Sequence, residues 1–171
     1  MTQITRSHDR RTVLGLCASV AVAAVAWRLW DGGDAAAIAA TPATFKLTDA
    51  EWHKRLSPQA YAVLRQASTE MPFSSPLNNE HRTGTFVCGG CALPLFASKT
   101  KFDSGTGWPS FYDHLPHAVG ERSDSSIGEE RTEIHCARCA GHLGHVFDDG
   151  PKPTGLRYCM NGVAMKFAVA A

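Results

Sequence analysis

The chain has 171 residues, 44% of them hydrophobic and 19% charged. That length suits one domain with an appendage, and the composition excludes an intrinsically disordered protein. Lys and Arg total 17 and Asp and Glu total 16, so a net charge of +1 gives no electrostatic ground for a nucleic-acid partner.

Residues 2–11 are polar and carry Arg6, Arg10 and Arg11; residues 12–27 carry no charge and are rich in Ala and Val; Arg28 closes the run. An uncharged run of this length is short for a bilayer span, which needs roughly 20 apolar residues. It fits the apolar region of an export signal. Ser7-His8-Asp9-Arg10-Arg11-Thr12-Val13-Leu14 resembles a twin-arginine signal, and Ala37-Ile38-Ala39 offers a small-x-small cleavage site. The expectation is export to the periplasm or cell envelope. The alternative is an uncleaved membrane anchor, with Trp27, Arg28 and Trp30 at the interface. Cys17 lies inside this run and is expected to take no part in chemistry. The division is therefore 1–30 signal or anchor, 31–44 linker, and 45–171 the folded domain.

Thr48-Asp49-Ala50-Glu51 has the pattern of a capping box, which predicts a helix over 49–56. Ser57-Pro58 starts a second helix, with Tyr61, Val63, Leu64 and Ala67 as its apolar face and Met71-Pro72 as its end. Beyond Pro76 the runs are short and the turns frequent. Strands are expected at 84–88, 132–136, 144–148, 156–161 and 163–169, with Lys101-Phe102-Asp103 leading into a Gly-rich turn. This predicts a mainly β domain preceded by helices.

Of the six cysteines, four form the pairs Cys88-Gly89-Gly90-Cys91 and Cys136-Ala137-Arg138-Cys139. A Cys-x-x-Cys turn lets two thiolates reach one tetrahedral ion at about 2.3 Å each. Each pair follows a β-like run, so each reads as a knuckle at the end of a hairpin. Four thiolates leave no open coordination position, so the site should be structural. Iron suits the same donors, and Cys88 with Cys91 alone would also read as a redox dithiol. Zinc is preferred because it does no redox chemistry beside a reactive thiol. His135 and Arg138 flank ligands and read as structural or exposed.

Cys159 is left over, in Arg157-Tyr158-Cys159-Met160-Asn161. On a strand, Arg157, Cys159 and Asn161 share one face and Tyr158 and Met160 the other. A neighbouring guanidinium is expected to favour thiolate, the nucleophilic form. Gly141-His142-Leu143-Gly144-His145 places two imidazoles in what reads as a tight turn, suited to carrying protons near a reacting oxygen. Gly105-Thr106-Gly107-Trp108-Pro109-Ser110-Phe111 fixes the backbone around an indole, and an aromatic wall beside a thiol suits a methyl group on sulfur.

Together these segments resemble the B-type methionine sulfoxide reductases, from about Leu47 to Phe167. The resemblance rests on the first cysteine pair, Lys101-Phe102-Asp103-Ser104-Gly105, Gly107-Trp108-Pro109-Ser110-Phe111, the run from Gly141 to Gly150, and Arg157-Tyr158-Cys159-Met160-Asn161. It implies a small barrel-like β fold of two antiparallel sheets with a zinc site on four cysteines. It implies Cys159 as nucleophile toward the R epimer of methionine sulfoxide. Trp108, with Phe111, would bind the substrate; His142 and His145 would line the site; Asn161 and Arg157 would support it. Oxidised methionine residues in proteins would be the substrate and a thioredoxin-like or other thiol the reductant. One departure stands out: Thr106 occupies the position before Gly-Trp-Pro-Ser-Phe where many members carry a second cysteine. Regeneration by an external thiol is therefore expected. A zinc-knuckle binding module would explain the two cysteine pairs but not Cys159, Trp108 and the histidines. Nothing in the sequence demands an oligomer.

Overall fold

The computed structural model describes residues 44–170. The signal or anchor, Cys17, the cleavage site and all but the last residue of the linker lie outside the described residues.

Helix α1 (Asp49–Arg55) starts from the expected capping box. Thr48 Oγ1 accepts the Glu51 N–H, and Glu51 Oε2 accepts the Thr48 N–H at 2.7 Å. Helix α2 (Pro58–Gln66) starts at Ser57, whose Oγ accepts the Ala60 N–H at 3.2 Å. It buries Ala60, Tyr61, Val63 and Leu64. It stops earlier than Met71: Ala67 turns left-handed at φ 54°, and the Ser68 N–H closes on the Ala62 carbonyl at 3.0 Å. Ala67 is consequently exposed rather than part of the apolar face. The following residues, 68–75, run as an irregular strap. Among the described residues no helix is long and apolar enough to cross a membrane.

Among the described residues nine strands follow: β1 (Gly84–Cys88), β2 (Pro94–Ala97), β3 (Lys101–Phe102), β4 (Ser110–Phe111), β5 (Val119–Asp124), β6 (Arg131–Cys136), β7 (His142–Phe147), β8 (Arg157–Met160) and β9 (Met165–Val169). They form two antiparallel sheets, ordered β2-β1-β9 and β3-β4-β8-β7-β6-β5. The mainly β architecture expected from the sequence is the one found. Tyr158 and Met160 alternate inward from β8 and are buried, as the period of two requires. They join Phe86, Phe96, Phe111, Ile134 and Leu143 in the core. Phe111 lies between Phe86 and Phe96, with ring centroids 4.9 and 4.4 Å away.

The strands near the site depart from expectation at β9 and β7. The last strand begins at Met165 because residues Gly162–Ala164 form a 3-10 turn. The two histidines lie on β7 rather than in a turn. Gly144, read as a turn residue, is needed there for closeness: a Cβ on it would sit 2.1 Å from the Cys159 carbonyl oxygen.

Candidate active site and metal centre

Strand register assembles one row of side chains across the larger sheet. Phe102 pairs with Ser110, Ser110 with Cys159, Cys159 with His145, His145 with Glu133, and Glu133 with Arg122. Directly opposed residues of antiparallel strands share a face, so all six project from the side opposite Tyr158 and Phe111. Cys159 is half-buried in this row.

Histidines three apart on a regular strand would point to opposite faces. Here β6 and β7 shift register between Ile134 and His135, where one strand carries an extra residue. Such a bulge returns His142 to the side of His145, and the ring centroids stand 5.4 Å apart. Each ring is held by a carboxylate. His142 Nδ1 lies 2.7 Å from Glu133 Oε1, and His145 Nε2 lies 2.7 Å from Asp124 Oδ2. Arginines hold the carboxylates in turn: Arg122 on Glu133, and Arg131 Nη2 on Asp124 Oδ2 at 2.7 Å.

The titration of these groups follows from their neighbours. Burial works against an ionised Glu133, but Arg122 and His142 outweigh it and hold the carboxyl below its ordinary value. Asp124 is held well below the carboxylate range by the hydroxyl and amide of Ser126, with His145 and Arg131 adding to them. Burial pushes His142 down, against the pull of Glu133. Neutral His142 therefore donates Nδ1–H to Glu133, and its Nε2 is an acceptor without a hydrogen-bond partner among the described residues.

Cys159 differs from the sequence expectation. Burial pushes its thiol up, while the Thr106 hydroxyl, the Arg157 charge and the Ser110 hydroxyl pull it down without cancelling the burial. Arg157 is itself paired: Nε and Nη2 each bond Asp149 at 2.8 Å, and the guanidinium lies 4.4 Å from the Phe147 centroid. Thr106 Oγ1 stands 3.9 Å from Cys159 Sγ and joins Ser104 Oγ, which joins Ser110 Oγ, each link 2.8 Å.

Trp108 is half-buried and donates Nε1–H to the Glu70 carbonyl at 3.1 Å. Gly107, at φ 93°, permits this turn, and a Cβ there would meet the Phe73 amide and ring at 2.9 Å. Asn161 is buried, with Nδ2 donating to the Leu143 carbonyl at 3.0 Å and Oδ1 accepting the Glu70 N–H at 2.9 Å. The fold thus brings Cys159, His142, His145, Arg157, Asn161 and Trp108 into one region. Phe111 is a correction: fully buried on the core face with Tyr158, it cannot touch a substrate at the Cys159 face. Thr106, placed by the sequence where a second cysteine would meet Cys159, does stand beside it, whereas nothing in the sequence marks Ser110, Glu70, Asp124, Glu133 and Asp149 as neighbours of these groups. Ser110 needed only the β4–β8 pairing to be seen, because it stands directly across from Cys159.

The four paired cysteines meet between two hairpins, one joining β1 to β2 and the other β6 to β7. Both knuckles close alike: the Ala92 N–H bonds the Cys88 carbonyl at 2.8 Å and the Ala140 N–H bonds the Cys136 carbonyl at 2.9 Å. Both alanines are left-handed, at φ 59° and 55°. The four sulfurs lie within 4.8 Å of one another, with Cys88 and Cys139 3.7 Å apart and Cys91 and Cys136 3.5 Å apart. Tetrahedral thiolates about 2.3 Å from one ion stand roughly 3.8 Å apart, so the donor set fits a metal. All four are buried, which opposes the reading of Cys88 and Cys91 as an accessible redox pair. His135 is half-buried, and Arg138 Nη1 reaches the Cys91 carbonyl at 3.4 Å, which suits structural roles.

A SelR domain matches residues 56–169. A peptide methionine sulfoxide reductase MsrB of Leptospira interrogans is 53% identical over 121 residues, covering 70% of this chain and 92% of that protein. The protein of the same name from Agrobacterium fabrum is 54% identical over 121 residues, covering 70% and 90%. That from Bradyrhizobium diazoefficiens is 55% identical over 120 residues, covering 70% and 86%. On the length and level of these matches, the chain belongs to the SelR family of B-type methionine sulfoxide reductases.

Proposed function

We propose that the chain is a thiol-dependent reductase that converts methionine (R)-sulfoxide, within oxidised proteins, to methionine. The observation that carries this is Cys159 standing in register between Ser110 and His145 on the face opposite the core. The sulfur of Cys159, as thiolate, attacks the sulfoxide sulfur, whose S–O bond breaks as the oxygen takes a proton. The attack forms a bond between the two sulfurs, which breaks as the hydroxyl bonds to Cys159 Sγ; Cys159 is left oxidised by two electrons as sulfenic acid, and methionine leaves. His145, anchored through Nε2 by Asp124, carries the proton on Nδ1. His142 Nε2, an acceptor without a hydrogen-bond partner among the described residues, would take a hydrogen bond from the substrate hydroxyl. Trp108 packs on the substrate methyl group. Arg157 lends part of its charge to the thiolate, and Asn161 holds the end of β8.

Thr106 cannot form a disulfide, and Cys88, Cys91, Cys136 and Cys139 are committed to the metal centre. Two equivalents of an external thiol, thioredoxin-like or smaller, therefore return the sulfenic acid to thiol, releasing water and the thiol's disulfide. The metal is zinc, held by those four cysteines as scaffold. The N-terminal segment directs the protein to the periplasm or cell envelope, and one chain suffices for the reaction.

Replacing Cys159 with serine and assaying both sulfoxide epimers tests the reading. The variant should keep its metal and fold and lose reduction of the R epimer. Retained turnover in Cys159→Ser, or preference of the wild type for the S epimer, overturns it.

A further inference from the structure

Resting on this reading of the site, we propose that Glu70 is the positioning residue that sets Trp108 and Asn161 against Cys159. Glu70 belongs to no helix or strand; it lies on the strap between α2 and β1. Four hydrogen bonds radiate from it. Its carbonyl accepts the Trp108 indole N–H at 3.1 Å, and its amide donates to Asn161 Oδ1 at 2.9 Å. Its carboxylate accepts the Gly162 N–H on Oε1 at 2.5 Å and the Val163 N–H on Oε2 at 2.9 Å. The partners are distant in sequence, so these bonds tie the strap to two separate parts of the sheet. Bonds from amides to an ionised carboxylate are about twice as strong as neutral ones.

The brace continues beyond Glu70. Asn161 donates both its backbone N–H and Nδ2 to the Leu143 carbonyl, at 2.7 and 3.0 Å. A chain of bonds therefore runs from Trp108 through Glu70 and Asn161 to the residue between His142 and Gly144. The strap fits closely: a Cβ on Gly162 would lie 1.9 Å from Ser75 Oγ. Asn161 thus braces the site with one bond at each end of its amide. The Glu70 side chain lines a cleft of about 700 Å³ with Gly162 and Val163, and its carboxylate bridges their two amides to the strap.

Removing the carboxylate should release the strap and let the indole drift. In the proposed reaction the indole holds the substrate methyl group, so the loss falls on substrate binding more than on the chemical step. Glu70→Gln keeps the volume but turns an NH₂ toward one of two N–H donors. In the full-length protein it should raise KM for the R-sulfoxide about tenfold and change kcat less than about threefold. The Trp108 indole N–H, assigned by its disappearance in Trp108→Phe, should exchange with solvent faster. In the Trp108→Phe background, which lacks the indole donor, the KM effect of Glu70→Gln should shrink to about twofold or less. A merely structural role gives additive effects in that cycle. Additive KM effects, or unaltered indole exchange, overturn the proposal.

The reciprocal measurement needs no change at Glu70. In Trp108→Phe the amides of Glu70, Gly162 and Val163 should exchange faster than in the wild type, and unchanged exchange overturns the brace. The exchange pattern tests the brace without any activity readout, whereas a wild-type chain that reduces neither epimer removes the reductase reading.

Discussion

The guanidinium of Arg157 closes on the carboxylate of Asp149 through two 2.8 Å hydrogen bonds, and so serves the Cys159 thiol as a partial counterion. The Cys159 thiol is held above its ordinary value by burial, with Thr106, Arg157 and Ser110 in opposition. Alkylation of Cys159 by iodoacetamide should rise with pH and level off above the ordinary cysteine value of about 8.5. Asp149→Asn frees the guanidinium charge and should speed alkylation at neutral pH by about three- to tenfold. Arg157→Gln should slow it. Equal rates in all three proteins would show that the pair does not govern the thiol.

The depressed His142 makes stability depend on pH. Glu133 faces it from β6 and favours its protonation; Arg122, reaching from β5, and His145 on its own strand oppose it, as burial does. The unfolded chain protonates this imidazole at about 6.5, above the folded chain. The unfolded state then binds more protons as pH drops below that value. Stability from His142 is thus fully present above about 6.5 and is lost as pH falls through the folded value. Thermal unfolding followed across pH 5–8 should show this loss, and His142→Gln should flatten it. An unchanged profile in the variant assigns the slope to another group.

Metal removal is expected to act on the fold rather than on the reacting sulfur. Elemental analysis should find one zinc per chain. Cys136→Ser should abolish binding and lower the melting temperature sharply, since structural zinc supplies folding free energy of order 10 kcal/mol in small domains. Retention of one equivalent of zinc with three cysteines left would contradict a four-thiolate centre.

Thr106 Oγ1 lies 3.9 Å from Cys159 Sγ, within reach of a sulfur placed at the same position. Thr106→Cys should convert the enzyme to one that ends a turnover with an internal disulfide, seen on a non-reducing gel after proteolysis. The wild type should show none.

Much of the site was legible because its residue types are tied to strand and turn chemistry. The capping box at Thr48, the knuckles and the alternation around Cys159 need only local pattern. What was hidden depends on pairing between segments far apart. The sequence puts His142 and His145 near a glycine and suggests a turn, but only the shifted register of β6 against β7 shows both rings on one side. Phe111 adjoins Trp108 in a distinctive motif, yet strand alternation sends it into the core between Phe86 and Phe96. Glu70 carries no motif, and its place beside Trp108 follows from the strap left where α2 stops at Gln66. Asp149 reads as one acid among several until its pairing with Arg157 shows why the guanidinium does not act on the thiol alone.

In the proposed reaction oxygen leaves the substrate on the sulfur of Cys159. The wild-type protein, mixed with one equivalent of methionine (R)-sulfoxide without reductant and treated with a sulfenic-acid-specific diketone, tests it directly. One methionine should be released per chain, with the label on Cys159. Methionine released with Cys159 unlabelled and still a free thiol, or the label carried by another cysteine, would contradict it.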